Sequence, residues 1–178
     1  MDITDLLSND HATVDALFDR YRATSDASER DEITRQVVHD LSVHAAVEEQ
    51  FVYPLVRVKL DGRTADHAID EHQEAKQLLA DLEKAEAGTA EHEQLFDRLV
   101  TAIREHVAEE EGEVFPELRS KTDEATREKI ASVVDKAKAV VPTHPHPLVP
   151  GTATAQLAAG PWAAMIDKAR DLAGAGPK

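Results

Sequence analysis

The feature that most constrains this chain is a pattern written twice. "HAAVEEQFVYP" at 44–54 and "HVAEEEGEVFP" at 106–116 share the spacing H-x-x-x-E-E-x-x-x-[YF]-P. Side chains four residues apart lie on one helix face, so His44 projects with Glu48 and His106 with Glu110. Ile33, Val37, Leu41, Phe51, Val52 and Leu55 continue the first face, and Leu95, Leu99, Ile103 and Val114 the second. Each polar pair therefore interrupts an apolar stripe and points at a core. A buried carboxylate must be neutralised, paired or bound to a cation. Arg57, Arg98 and Arg104 fall outside this register, which favours a cation over internal salt bridges.

The surrounding sequence predicts an all-α chain. Gly and Pro are sparse before residue 142, and the hydrophobic residues follow helical rather than alternating periodicity. The reading places helices at about 10–25 after "SND", 28–59 from "SERD" with Ser28 and Asp31 in a capping box, 64–87 up to Gly88, and from Thr89 to about 119. Four helices with short loops pack as an up-down bundle. A fifth, over 123–141 with Thr122 as N-cap, presents Ile130, Val133, Val134 and Ala137 to its flank. The bundle is expected over 1–141, a Pro-rich linker over 142–160, and a short amphipathic tail helix over 161–178. Trp162, Met165, Ile166, Ala169 and Leu172 of that tail offer a face for docking on the bundle or on another chain.

Composition narrows the chemistry. The 178 residues carry a formal net charge of −15, which weighs against nucleic acid and anionic membrane as partners. No cysteine is present, so thiolate metal sites, disulfides and thiol nucleophiles are excluded. The acidic N-terminus and the lack of an apolar run near the roughly 20 residues of a membrane span make a cytoplasmic protein the default expectation.

The other two bundle helices complete a ligand set. His11 lies on the stripe of Leu7, Val14, Phe18 and Tyr21, and His72 on that of Ile69, Ala75, Leu79 and Leu82. His11 precedes His72 by 61 residues and His44 precedes His106 by 62, so 5–59 and 66–119 read as two copies of one helical hairpin. A twofold arrangement would bring His11, His44, Glu48, His72, His106 and Glu110 to one centre. Each glutamate can bridge two ions, and the set fills roughly eight of the ten to twelve positions that two ions offer. Nitrogen and oxygen ligands with open positions favour iron, with manganese or zinc as alternatives. Phe18, Leu79, Ile103 and Val114 are expected to restrict water there.

The series H…HxxxE…H…HxxxE on four successive helices resembles the hemerythrin-like, or HHE cation-binding, family over about residues 3–119. The resemblance implies a four-helix bundle in which the same six residues hold two iron ions, oxo- or hydroxo-bridged. It also implies a small diatomic ligand or peroxide, an unidentified redox partner, and a monomer or weak oligomer. Oxygen-carrying members place a histidine four residues after the third-helix ligand, where this chain has Lys76, and end on an aspartate five residues after a histidine, where Glu110 stands at four. The departures point to dioxygen, peroxide or nitric-oxide chemistry, with catalase-like peroxide breakdown the specific expectation. A metal-dependent sensor, a non-catalytic helical interaction protein and a reversible oxygen carrier are the alternatives, and iron storage ranks behind them.

The remaining polar residues read as follows. His67, Glu71 and Glu74 form a solvated face; His39 and His92 are surface residues; His144 and His146 decorate the linker. Glu49 and Glu111 are rotated one position off the ligands, toward solvent. Tyr53 and Phe115 fall off the ligand face of an ideal helix and serve packing, with Tyr53 and Tyr21 the candidates for a redox or proton-donating role beside the metals. Pro54 and Pro116 should kink their helices at matching heights, by clashing with the carbonyls of Gln50 and Gly112.

Overall fold

A computed structural model describes residues 1–147, all helical in their regular structure. The tail helix expected over 161–178 and most of the linker over 142–160 lie outside the described residues. The bundle is built from α1 (Ile3–Ala23), α2 (Ala27–Val47) continued by α3 (Tyr53–Lys59), α4 (Gly62–Leu82), and α5 (Ala90–Glu109) continued by α6 (Phe115–Lys121). Helix α7 (Glu124–Ala137) lies against α1. α1 packs most closely on α2 and α4 on α5, so the two sequence copies are two hairpins.

Capping explains where the helices start, and several expected boundaries shift. α1 begins at Ile3 rather than near residue 10, because Asp2 accepts from the Thr4 and Asp5 amides while Asp5 bonds back to the Asp2 amide. Ser8, Asn9 and Asp10 lie inside the helix. Asp26, not Ser28, caps α2 by accepting from the Glu29 amide at 2.8 Å. α4 starts at Gly62 behind Asp61 and ends at Leu82, and Gly88, at φ +85°, serves the turn before α5 rather than the helix end. Thr89 caps α5 as expected, while Asp123, one residue past Thr122, caps α7. Val134 of α7 is buried and Ile130 and Ala137 pack against the core as expected, while Ala131 takes the inward place expected of Val133, which is 44% exposed.

Each long rod changes its winding at the repeated motif. Pro54 and Pro116 have no N–H to donate to a carbonyl four residues back, and their rings crowd it. The chain answers with a π turn at Glu48–Val52 and another at Glu110–Val114, in which the carbonyls of Glu48 and Glu110 accept from the amides of Tyr53 and Phe115, five residues on. The expected matching kinks are thus matching π turns, each beginning at the repeated glutamate.

Two apolar clusters make up the core. Ile3, Leu7, Val47, Val52, Val56, Phe115 and Val134 belong to one. Phe18, Ile33, Val37, Leu79, Leu82, Phe96 and Leu99 belong to the other. Each such side chain contributes about 1.5–3 kcal/mol by leaving water. On every bundle helix the histidine of the repeat falls between residues of one cluster and residues of the other, so a polar layer divides the core.

Candidate metal centre

That layer holds all six residues singled out by the repeat. His11, His44, Glu48, His72, His106 and Glu110 are 0–7% exposed. His11 Nε2 lies 3.1 Å from His44 Nε2, and His72 Nε2 lies 3.2 Å from His106 Nε2. The glutamates stand between these pairs. Glu48 Oε2 is 3.0 Å from His44 Nε2 and 3.3 Å from His72 Nε2, and Glu110 Oε2 is 3.4 Å from both His11 Nε2 and His106 Nε2. Atoms of His11, His44, Glu48 and Glu110 lie within 4.8 Å of one another, as do atoms of Glu48, His72 and His106, so Glu48 belongs to both groups.

The outward ring nitrogens are held by a second set of carboxylates. His11 Nδ1 meets Glu111 at 2.9 Å, His72 Nδ1 meets Glu49 at 3.1 Å, and His106 Nδ1 meets Glu71 at 2.7 Å. Asp10 stands 3.5 Å from His44 Nδ1, a charge contact longer than a hydrogen bond. The set obeys the repeat: Glu49 and Glu111 each reach across to the other hairpin, while Asp10 and Glu71 each serve a histidine of their own. An ionised carboxylate only accepts, so the Nδ1 atoms of His11, His72 and His106 donate, and the Nε2 atoms that face the centre can each give a lone pair to a cation when they carry no proton.

The result is a buried cage of carboxylates and ring nitrogens. Both oxygens of Glu48 and Oε2 of Glu110 make no hydrogen bond of good geometry despite the imidazoles close beside them, and Glu48 is fully buried. Such groups are costly unless a cation or proton satisfies them. Protons do so in the metal-free protein. Burial pushes the His44 imidazole down, but Glu48 and Asp10 outweigh it and hold it at about 10. His72 is likewise held at about 9 by Glu48 and Glu49 against its burial. Burial pushes Glu48 up, and the charges of His44 and His72 beside it bring it well below the usual carboxylate range. A metal ion would replace these protons.

Several expectations need correction here. Glu49 is not solvated: it is 1% exposed and takes Lys76 Nζ at 2.6 and 2.7 Å as well as His72. One position of helical rotation turns it into the seam with α4 rather than toward water. Glu111 keeps a 43% exposed side chain yet still reaches His11, and Glu71 leaves the surface face to reach His106. Tyr53 is not confined to packing. The π turn sets the following residues back by about one position, roughly 100° of rotation, and the Tyr53 hydroxyl arrives 2.9 Å from His72 Nε2, 3.1 Å from Glu110 Oε1 and 3.4 Å from His106 Nε2. Its counterpart Phe115 stacks on His11 with ring centroids 5.9 Å apart.

Tyr21 lies away from the centre, its hydroxyl 2.8 Å from Nδ1 of His92. His92 is no surface residue: it is buried in the second cluster's end of the bundle with Thr34 at 3.3 Å. His144 is buried against Glu83. Arg57 and Arg104 pair with surface carboxylates, Asp66 and Asp15, as their register implied. His67, Glu71 and Glu109 form a further group with atoms within 4.8 Å, partly exposed on α4 and α5. Sequence reasoning missed Lys76 as a buried partner and Asp10, Glu49, Glu71 and Glu111 as supports. The signal was present, since each is one residue before or after a repeat histidine or glutamate, or one turn beyond.

A cavity of about 20 Å³ abuts the four histidines, walled by Val14, Leu41, Ala75, Leu79 and Ile103 with Lys76 at its edge. That is room for little more than one water molecule, which needs about 10–15 Å³. Among the described residues no helix is long and apolar enough to cross a membrane.

Comparison with known proteins agrees with this geometry. The chain is 30% identical over 173 residues to an uncharacterized hemerythrin-like protein of Schizosaccharomyces pombe, covering 96% of this chain and 85% of that protein. It is 28% identical over 141 residues to a DNA nickase of Nostoc sp., covering 79% of this chain and 40% of that protein. No solved structure matches. Residues 2–118 match the hemerythrin HHE cation binding domain. The chain belongs to the hemerythrin HHE cation-binding family.

Proposed function

We propose that the protein holds two iron ions through His11, His44, Glu48, His72, His106 and Glu110, and uses them on dioxygen, peroxide or nitric oxide, with catalase-like breakdown of peroxide the leading activity. The observation that carries the metal reading is the fully buried Glu48, whose carboxylate makes no hydrogen bond of good geometry and stands 3.0 and 3.3 Å from imidazoles of two converging pairs. Residues that each sit in one half of the centre, with both glutamates between the halves, suit two ions better than one. Manganese and zinc remain chemical alternatives for the same donors.

Two redox-active metal ions, when bound, supply Lewis acidity and electrons for chemistry at an oxygen–oxygen or nitrogen–oxygen bond. The chain's own residues do the rest. Glu49, Glu71 and Glu111 fix the ring tautomers and raise the donor strength of the histidines. Val14, Leu41, Leu79 and Ile103 close the cavity to anything larger than a few atoms, which supports a diatomic molecule or peroxide as ligand and counts against an organic substrate. Tyr53 brings its hydroxyl beside the inward nitrogens of His72 and His106 and beside Glu110. Burial, then the charges of Glu110 and Glu48, raise this phenol well above its usual 10 in the metal-free protein, so it stands protonated and can donate. Disproportionation of peroxide to water and dioxygen needs no outside reductant, which suits a centre enclosed in its bundle.

The net charge of −15 speaks against nucleic acid as a partner, even though one relative is named a DNA nickase. The test is dioxygen evolution on adding hydrogen peroxide to iron-loaded protein. We expect turnover that His106→Ala abolishes. A stable, reversible adduct without turnover would replace the enzyme reading with a carrier or sensor.

A further inference from the structure

The repeat makes the two halves of the centre alike in ligands, yet not in charge. In one half, Glu49 is fully buried and shared between His72 Nδ1 and the Lys76 ammonium, which is itself 6% exposed. In the other, Glu111 holds His11 Nδ1 at 2.9 Å with no lysine or arginine among the described residues within ion-pair distance of it. Lys138 pairs with Asp10 beside His44, but on side chains 25 and 28% exposed, where water screens its charge as it does not screen that of Lys76. The repeat counterpart of Lys76 is Asp15, an acid that pairs with Arg104 at the surface. Tyr53 adds a second difference. Its hydroxyl is bonded to the inward nitrogen of His72, where Phe115 in the other half offers only a ring face.

Both differences act in one direction. The Lys76 ammonium withdraws Glu49 from His72 and so lowers the donor strength of that imidazole. It also lines the cavity beside the histidines, where it repels a cation directly. A metal ion entering between His72 and His106 must in addition displace the Tyr53 hydrogen bonds. We propose that Lys76 makes the two metal positions unequal, so that the His11/His44 position fills first and tightly and the His72/His106 position is the exchangeable one. Lys76 touches no ligand nitrogen and acts through Glu49 and through its charge; it is a positioning residue. The inference rests on the two-metal reading above.

The test is a titration of the metal-free full chain with Co²⁺, followed by calorimetry and visible absorption, with anomalous diffraction from crystals holding one equivalent. Wild type should bind in two steps on the order of tenfold or more apart, the first ion seated at His11 and His44. Lys76→Met should tighten the second step by on the order of tenfold and merge it with the first, whereas Lys76→Arg should keep the steps apart. A merely structural Lys76 predicts the opposite sign, because its loss would loosen the site. Glu111→Gln, a partly exposed change that spares the core, should weaken the first step and leave the second unmoved. Equal steps in wild type, a first ion at His72 and His106, or a gap that Lys76→Met leaves or widens would overturn the inference while the two-metal centre stands. Failure to bind Co²⁺ in that pocket at all would overturn the two-metal reading and this inference with it.

Discussion

Removing the Glu49 carboxylate isolates the energetic cost of the buried charge layer. Glu49→Ala takes both acceptors from Lys76 Nζ, at 2.6 and 2.7 Å, and the acceptor of His72 Nδ1 at 3.1 Å. Lys76 is 6% exposed, so its ammonium is left in the seam between α2 and α4 without the partner that compensates its desolvation. Breaking a buried pair in this way costs about 3–5 kcal/mol. At about 2–4 °C per kcal/mol for a chain of this size, the melting temperature should fall by roughly 10 °C. Removing both charges, in Glu49→Gln with Lys76→Met, should recover most of the loss because nothing buried is then uncompensated. Urea unfolding of the metal-free protein, followed by circular dichroism, measures Glu49→Ala, and the singles Glu49→Gln and Lys76→Met beside their double variant give the coupling between the two sites. A single-variant cost below about 1 kcal/mol, or strictly additive effects, would refute the claim that the pair is buried and coupled, since such values belong to exposed ion pairs.

Tyr53→Phe, which copies Phe115 of the other half, should keep the full metal content and lower peroxide turnover by about 10²-fold or more, measured as dioxygen release beside metal analysis. Asp2→Asn should cost about 1–2 kcal/mol near neutral pH by weakening the α1 cap and the 2.7 Å bond to Arg127. Burial pushes the Asp2 carboxyl up, but hydrogen bonds from Thr4 and Arg127 hold it at about 2 against 3.8, so its contribution is complete above pH 3.8 and disappears as pH falls through about 2. The stability gap between Asp2→Asn and wild type should therefore close over that window in acid titrations. Gly88→Ala should cost about 1–2 kcal/mol in a thermal melt, since φ is +85° and the new Cβ would stand 3.1 Å from that of Ala27.

Much of this centre was legible because it obeys helical arithmetic. His44 with Glu48 and His106 with Glu110 are one turn apart on apolar stripes, and His11 and His72 fall at the same level of the other helices. What escaped did so where the ideal α-helix fails or where a neighbouring helix intervenes. Tyr53 counts as off-face at 100° per residue, and only the π turn at Glu48–Val52 brings it in. Glu49 and Glu111 are rotated off the ligand face in their own helices, yet in a bundle that direction meets α4 or α1 before water. Lys76 occupies a position that looked like a lost ligand, and its burial follows from Glu49, a partner 27 residues away on another helix. The start of α1 was misplaced because Asp2 and Asp5 form a capping box ahead of "SND", whose residues can also sit in helix interiors. Boundaries depend on single side chains, whereas the metal-centre pattern is spread over four helices.

The most direct test of the account is anomalous diffraction at the iron edge from crystals of the iron-loaded full chain. The account predicts two iron peaks inside the bundle, one by His11 and His44 and one by His72 and His106, with Glu48 and Glu110 between them, and loss of both in Glu48→Ala with Glu110→Ala. No iron or a single iron in that layer, or iron found only at an exposed group such as His67, Glu71 and Glu109, would contradict it.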